Sequence, residues 1–268
     1  MIPLSRKRTL MKKIAYLLSV LFIAASCVGS GGLHYDTLEK GEKIEATRAQ
    51  LDHSNFGDLL KKYVNDEGLV DYEGLATEQA ALKSYLVYLS VNPPRKDWEI
   101  GEQFAYYINL YNASTLDLII DNDMPASIQD IKGPFGEVWI KNFIVVDGDE
   151  FSLADIEKGI LQKMGDARIH FAINCASISC PKLLNEVYTG KNVDDLMEKA
   201  ANEFINSEKN DLSDSSNPKL SSIFDFYPKD FKAESGTVIK YINQYATNKI
   251  NEGATIQYKN YDWSLNKQ

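Results

Sequence analysis

Apolar residues recur at helical spacing in several separate stretches of the chain. Phe56, Leu59, Leu60 and Tyr63 share one helical face near the start of the folded part. Residues 76–89 repeat the pattern and end at Pro93-Pro94. From Trp98 to about Ile120 the chain is apolar at its centre, with Phe104, Tyr107, Ile108, Tyr111, Thr115 and Leu118 on one stripe, which predicts a long helix in the core. Ser152 and Asp155 form a capping-box pattern for a helix running to about Lys163. Asn192 is placed to cap a helix through about Asn206, and another is expected from Gly236 to about Asn248. Strand-like stretches are shorter. Residues 138–146 lead into Asp147-Gly148, a hairpin turn signal. Arg168–Asn174 (RIHFAIN) reads as a buried strand, and residues 220–224 and 255–261 as further extended segments. The elements do not alternate as βαβ units. The expected fold is therefore α+β, a single domain with mixed helices around a small, mainly antiparallel sheet.

Ahead of this domain the pattern changes. Lys12 and Lys13 precede an uncharged run from Ile14 to Ser26, which ends on small residues and Cys27. A basic start, a short apolar run and a small-residue cleavage point make a secretory signal. The run falls short of the roughly 20 apolar residues that a membrane-spanning helix needs. Ile23-Ala24-Ala25-Ser26-Cys27 resembles the lipobox of bacterial lipoproteins, with Ala24 where Leu is commoner. An ordinary secretion signal with an incidental Cys is the alternative. The expected division is a lipoprotein-type signal at 1–26, a lipidated tether at 27–50 and a globular domain at 51–268. Met11 is a more natural signal start than Met1. The resemblance implies acyl chains on Cys27 and a place in the cell envelope, at the periplasmic face of the outer membrane. Two chains suffice for stable anchoring, and the tether would reach about 25 Å.

Charge narrows the choice of partner. The whole chain carries 29 basic and 38 acidic residues. Five of the basic residues precede Cys27, which leaves a net charge of −14 on the part that follows. Such a balance excludes nucleic acid as a natural partner and offers nothing to anionic lipid, so an envelope protein or a small molecule is expected instead. With 15 Tyr and 11 Phe, the chain can fill a large core. Lipidation of Cys27 leaves Cys175 and Cys180 as a pair, which in an oxidising compartment reads first as a disulfide.

Most catalytic motifs are missing. There is no Gly-rich phosphate loop, no HExxH and no GxSxG, so no cofactor is expected. Asp147-Gly148-Asp149 fails as a calcium loop, because Phe151, Ser152 and Lys158 fall where ligands or Gly are needed. Three His in the whole chain are too few for a His-rich zinc site, and no metal is expected. What remains is residues 168–181. On a strand, Arg168, His170 and Asn174 would share one face, and Cys175 would emerge at its end in a loop of small hydroxyl residues. Cys175 could then serve as a nucleophile with His170 as base, although five residues of extended chain separate them. A satisfied core His and a structural disulfide are the plain alternatives. Asn109 and Asn112 are unusual inside an apolar helix. Either they orient a substrate or a His, as in Cys-His-Asn sites, or they brace buried backbone. Residues 262–266 (DWSLN) read as a docked tail whose Trp packs.

FAYYINLYNASTL, FSLADIEKGIL, RIHFAINCASISCP, SSIFDFYPKDF and YDWSLN stand in the order found in a known family. On these segments the chain from about Leu51 to Asn266 resembles the family catalogued as domain of unknown function number 547. Lys158 departs from it, standing where members often have His. The resemblance implies a domain and not an activity. Relatives without secretion signals raise the weight of a thiol site over an envelope disulfide. The leading expectation is an envelope lipoprotein that binds a ligand or partner or acts as a scaffold, with Cys175–Cys180 as a brace. The alternative is a thiol-dependent hydrolase or acyl transferase using Cys175, with His170 and Asn109 or Asn112 in support.

Overall fold

In the computed structural model, which describes residues 51–268, a helix at Ile100–Asp121 runs through the middle of the protein. Before it come α1 (Ser54–Tyr63), α2 (Tyr72–Thr77) and α3 (Gln79–Ser90), and the central helix is α4. Of its 22 residues 18 are buried, so the stripe read from the sequence is only one of several faces in contact with protein. A helix packed on all sides must satisfy its polar groups internally. Tyr106 does so by donating to the Leu89 carbonyl at 2.8 Å, and Thr115 by donating back to Tyr111 at 2.9 Å. The predicted helix over 76–89 divides at Glu78 into α2 and α3, with Asp71 capping the first through the Gly74 N–H.

Strand content is smaller than the alternation of residues suggests. Ile144–Val146 (β1) pairs antiparallel with Asp149–Phe151 (β2) across Asp147-Gly148, both at positive φ as a tight hairpin turn demands. Residues 138–140, expected as strand, form a 3₁₀ turn instead. The Ser152–Asp155 cap forms, with the Asp155 carboxylate accepting from the Ser152 N–H at 2.9 Å. Beyond it the chain makes a π-helical turn at Asp155–Ile160 and a 3₁₀ turn at Leu161–Met164.

Residues 168–174 are not a strand. Ile169–Ala172 is a single helical turn, α5, and only Ile173 returns to extended geometry. Ile169, Phe171 and Ile173 are buried, and so are His170 and Ala172. Arg168 turns outward to Asp166, Asp194 and Glu198, so Arg168, His170 and Asn174 do not share a face.

Six helices and strands complete the domain: α6 (Val193–Ile205), β3 (Lys219–Leu220), α7 (Ile223–Phe226), α8 (Pro228–Ser235), α9 (Val238–Tyr245) and β4 (Gln257–Tyr258), the last parallel to β3. Asn192 sits at the α6 N-terminus but caps no helical N–H; its carboxamide oxygen accepts from the Thr189 N–H at 2.7 Å. Phe171, Phe204, Phe224, Phe231 and Tyr241 form an aromatic core between α5 and α6–α9. Burying each of these rings contributes about 1.5–3 kcal/mol, so the core fixes α5 firmly at its edge. The class is α+β in one domain, as expected. Among the described residues, no helix is long and apolar enough to cross a membrane. The expected signal, the tether and Cys27 lie outside the described residues.

Candidate active site

The turn from α5 into the cysteine loop is fixed by a relay of carboxamides. Asn112 of α4 donates to the Ala172 carbonyl at 3.0 Å and accepts from the Asn174 N–H at 2.8 Å. Asn174 in turn donates to the Pro181 carbonyl at 2.7 Å and accepts from the Ala176 N–H at 2.8 Å, which closes the loop that holds both cysteines. Ala176 is held at φ 57, a region that costs a residue with a Cβ and persists only where its surroundings enforce it. Enforcement comes partly from the tail. Asn266 N–H donates to the Ala176 carbonyl, Ser177 bridges to Leu265, and the Ser179 N–H donates to Asp262. Lys209 clamps the outer side, donating to the carbonyls of Ile178, at 2.7 Å, and Cys180.

This loop forms one wall of a cleft of about 730 Å³. The cysteines are free thiols with their sulfurs 3.0 Å apart and unbonded, so the expected disulfide is not present here. Cys175 is half-buried and Cys180 fully buried. The contact from Cys180 holds the Cys175 thiol below its ordinary range against the opposing effect of burial, helped by Ser177 Oγ and Tyr261 Oη, each 3.2 Å away. Burial, then the neighbouring sulfur, pushes Cys180 well above it. Of the two, Cys175 is thus the sulfur that ionises first, and a thiolate is the form that reacts.

His170 lines the same cleft. Its ring stacks on Tyr227 with centroids 3.9 Å apart, and Nε2 lies 2.7 Å from Asp230 Oδ2 at the first turn of α8. Nδ1 is buried without a hydrogen-bond partner. An imidazole fixed by a carboxylate through one nitrogen, with the other left free, is the arrangement used in general acid–base catalysis.

The opposite wall is the π-helical turn. It carries Glu157, whose side chain is buried; Oε2 accepts from Tyr111 at 3.4 Å and Oε1 has no partner. Burial pushes the hydroxyls of Tyr111 and Tyr227 well above the usual phenol range, and the Glu157 carboxylate adds to this, so both stay protonated. Trp139 and Trp263, 5.8 Å apart, flank the mouth with Tyr261.

Of the residues singled out from the sequence, Cys175, Cys180 and His170 line the same cleft. Asn112 braces the backbone behind it. Asn109 is removed from it, donating to the Tyr188 carbonyl at 2.7 Å and accepting from the Tyr188 N–H at 3.2 Å. Neither Asn touches His170, so they do not form a Cys-His-Asn site. Asp230, Tyr227, Glu157 and Tyr261 were not singled out, although each lies in one of the segments that carry the family resemblance. Trp263 packs against Trp139 and Tyr261, as expected of a docked tail, and lines the cleft as well. Among the described residues, no group of three or more His, Cys, Asp or Glu is placed to hold a metal ion.

The segments that build these walls also carry a match to a known family. Residues 95–205 match the family model Protein of unknown function, DUF547. Neither a curated protein nor a solved structure matches the chain. The DUF547 stretch takes in α4, the π-helical turn, α5, both cysteines and α6. Tyr227, Asp230, Tyr261 and Trp263 complete the cleft from beyond it.

Proposed function

We propose that the cleft is the active site of a thiol-dependent hydrolase or acyl transferase. Cys175 is the nucleophile and His170, oriented by Asp230, moves the proton. The observation that carries this reading is the pairing of a thiol held low by its neighbours with a carboxylate-bound imidazole in one cleft. In such a reaction the Cys175 thiolate attacks an acyl carbonyl, the leaving group departs with a proton, and water or another acceptor releases the acyl group. Binding or scaffolding alone, the leading expectation from sequence, is served equally well by the aromatic cleft but leaves the lowered thiol without a role. The test is acylation by a panel of activated esters and thioesters, followed by intact mass. A covalent acyl group on Cys175, lost in Cys175→Ser, supports the proposal. No acylation across the panel, with a Cys175→Ser variant indistinguishable from wild type, overturns it.

The 3.0 Å separation of the sulfurs favours a second reading, a dithiol that reduces an acceptor disulfide. Each turn would give up two electrons and two protons and leave Cys175 bonded to Cys180. Formation of a Cys175–Cys180 bond as an acceptor disulfide is reduced, read by intact mass, would select it, because acyl transfer leaves both thiols reduced.

We also propose that Cys27 carries the acyl chains that hold the protein in the cell envelope, at the periplasmic face of the outer membrane. The sequence of residues 12–27 supports this. Cys27→Ser should release the protein into the soluble fraction, and retention in the membrane fraction would argue against it.

A further inference from the structure

Glu157 has no use in the thiol chemistry proposed for the cleft, yet it is a buried carboxylate. A buried charge is normally paired, because leaving water costs it far more than burial returns. Here the Tyr111 hydroxyl lies 3.4 Å from one oxygen and the Tyr227 hydroxyl also bonds to the carboxylate, but both partners are neutral and neither balances its charge. No lysine or arginine is paired with it in any ion pair among the described residues. Lys158 and Lys229 also line the cleft, but both are exposed to solvent. Asp225 and Glu137 at the rim are exposed as well and add negative charge.

Around Glu157 the lining is aromatic. Tyr111, Tyr227, Trp139 and Trp263 share the cleft with it. Aromatic faces attract cations, and a partly dry cleft strengthens both this attraction and the attraction to a carboxylate. The surroundings of Glu157 are also unusual in backbone terms. It lies within a π-helical turn, a form that is rare and concentrated at functional sites.

We infer that Glu157, within the aromatic cleft, is the recognition site for a positively charged amine on the substrate. Glu157 supplies the counter-charge, and the neighbouring rings enclose the ammonium group and the carbon next to it. This rests on the cleft being a substrate site and names the substrate class it takes, a molecule carrying a primary amine. It does not depend on the chemistry at Cys175.

The experiment is calorimetric titration of the folded domain with n-pentylamine, 1-pentanol and pentanoate, three probes of matched length that differ in charge. It is run on wild type and on Cys175→Ala. The expected result is that pentylamine binds at least tenfold more tightly than either of the others, in both proteins. Glu157→Gln keeps the shape of the side chain and should lose at least tenfold of that preference, since a hydrogen bond to a charged group is of that order. Pentanol or pentanoate binding wild type as tightly as pentylamine would overturn the inference. So would an unchanged preference in a folded Glu157→Gln protein. If that variant does not fold, the wild-type comparison among the three probes decides alone. An amine preference without any acyl-enzyme would sink the thiol mechanism and leave this site standing, while an acyl-enzyme without amine preference would do the reverse.

Discussion

His170 and Asp230, sixty residues apart in the chain, meet with Nε2 2.7 Å from Oδ2, and the contact ties α5 to the first turn of α8 at the edge of the cleft. The His side chain is almost wholly buried while the carboxylate is about one-third exposed. The bond is therefore screened on one side only. Tyr227, stacked on the ring, and Phe231 behind it hold the imidazole in the plane that the carboxylate requires.

A double-mutant cycle measures this contact without any assumption about substrate. His170→Asn and Asp230→Asn, singly and together, should show a coupling of about 1–2 kcal/mol in urea unfolding, the low end of what a hydrogen bond to a charged group contributes, because solvent reaches the carboxylate. Strictly additive costs would mean that the pair is not formed in solution.

The two cysteines should behave differently toward alkylation. Cys175 is half-buried and its thiolate is stabilised by its neighbours, whereas Cys180 is buried and its ionisation is opposed. Iodoacetamide should modify Cys175 first, with a pH midpoint below that of an ordinary thiol. Cys180→Ala removes the largest stabilising contact on that thiolate, so the midpoint should move up. Faster labelling of Cys180, or a downward shift in Cys180→Ala, would contradict the asymmetry.

Asn112 should matter more than a cavity of its size implies. Replacing it by Ala leaves the Ala172 carbonyl and the Asn174 N–H buried without partners, at a cost of about 2–3 kcal/mol. Asn112→Asp should also destabilise, because a carboxylate oxygen would then face the Ala172 carbonyl where an N–H had donated. In both variants the loop beyond Asn174 slackens, and Cys180 should become open to alkylation. Unchanged denaturation midpoints would mean that the relay does not hold the loop.

The central helix was legible because Phe104, Tyr107, Ile108, Tyr111 and Leu118 recur at helical spacing over about four turns. Residues 168–174 were not. Burial of Ile169, Phe171 and Ile173 together with His170 between them leaves an alternation that suits a strand or a short helix equally, and length could not decide. The cleft was only partly readable for a related reason. Cys175 and His170 are close in sequence and chemically conspicuous, whereas Asp230 comes from a helix 60 residues later. Glu157 looked like one more acid on a capped helix. Only the π-helical turn and the lack of a charged partner set it apart, and neither leaves a mark in sequence.

His53 gives the stability a pH dependence separate from the cleft. It is buried beside α1, with Nδ1 2.6 Å from the Tyr85 hydroxyl and Nε2 without a partner, and burial lowers its pKa from 6.5 to about 4. In the unfolded chain the imidazole takes up a proton below pH 6.5; in the folded protein it resists until about pH 4. Between these limits the unfolded state binds more protons, so stability is full above pH 6.5 and declines as the pH falls toward 4. The whole interval corresponds to about 3 kcal/mol as an upper figure. Urea midpoints taken from pH 7.5 down to 4.5 should fall in wild type, with most of the slope absent in His53→Asn, which keeps an acceptor near Tyr85 but cannot titrate. Equal slopes in the two proteins would overturn this, and carboxylates such as Asp211 and Asp214 do not account for a slope in this range. Their lowered pKa values make them lose stability only below the ordinary carboxylate range, and so at lower pH than His53.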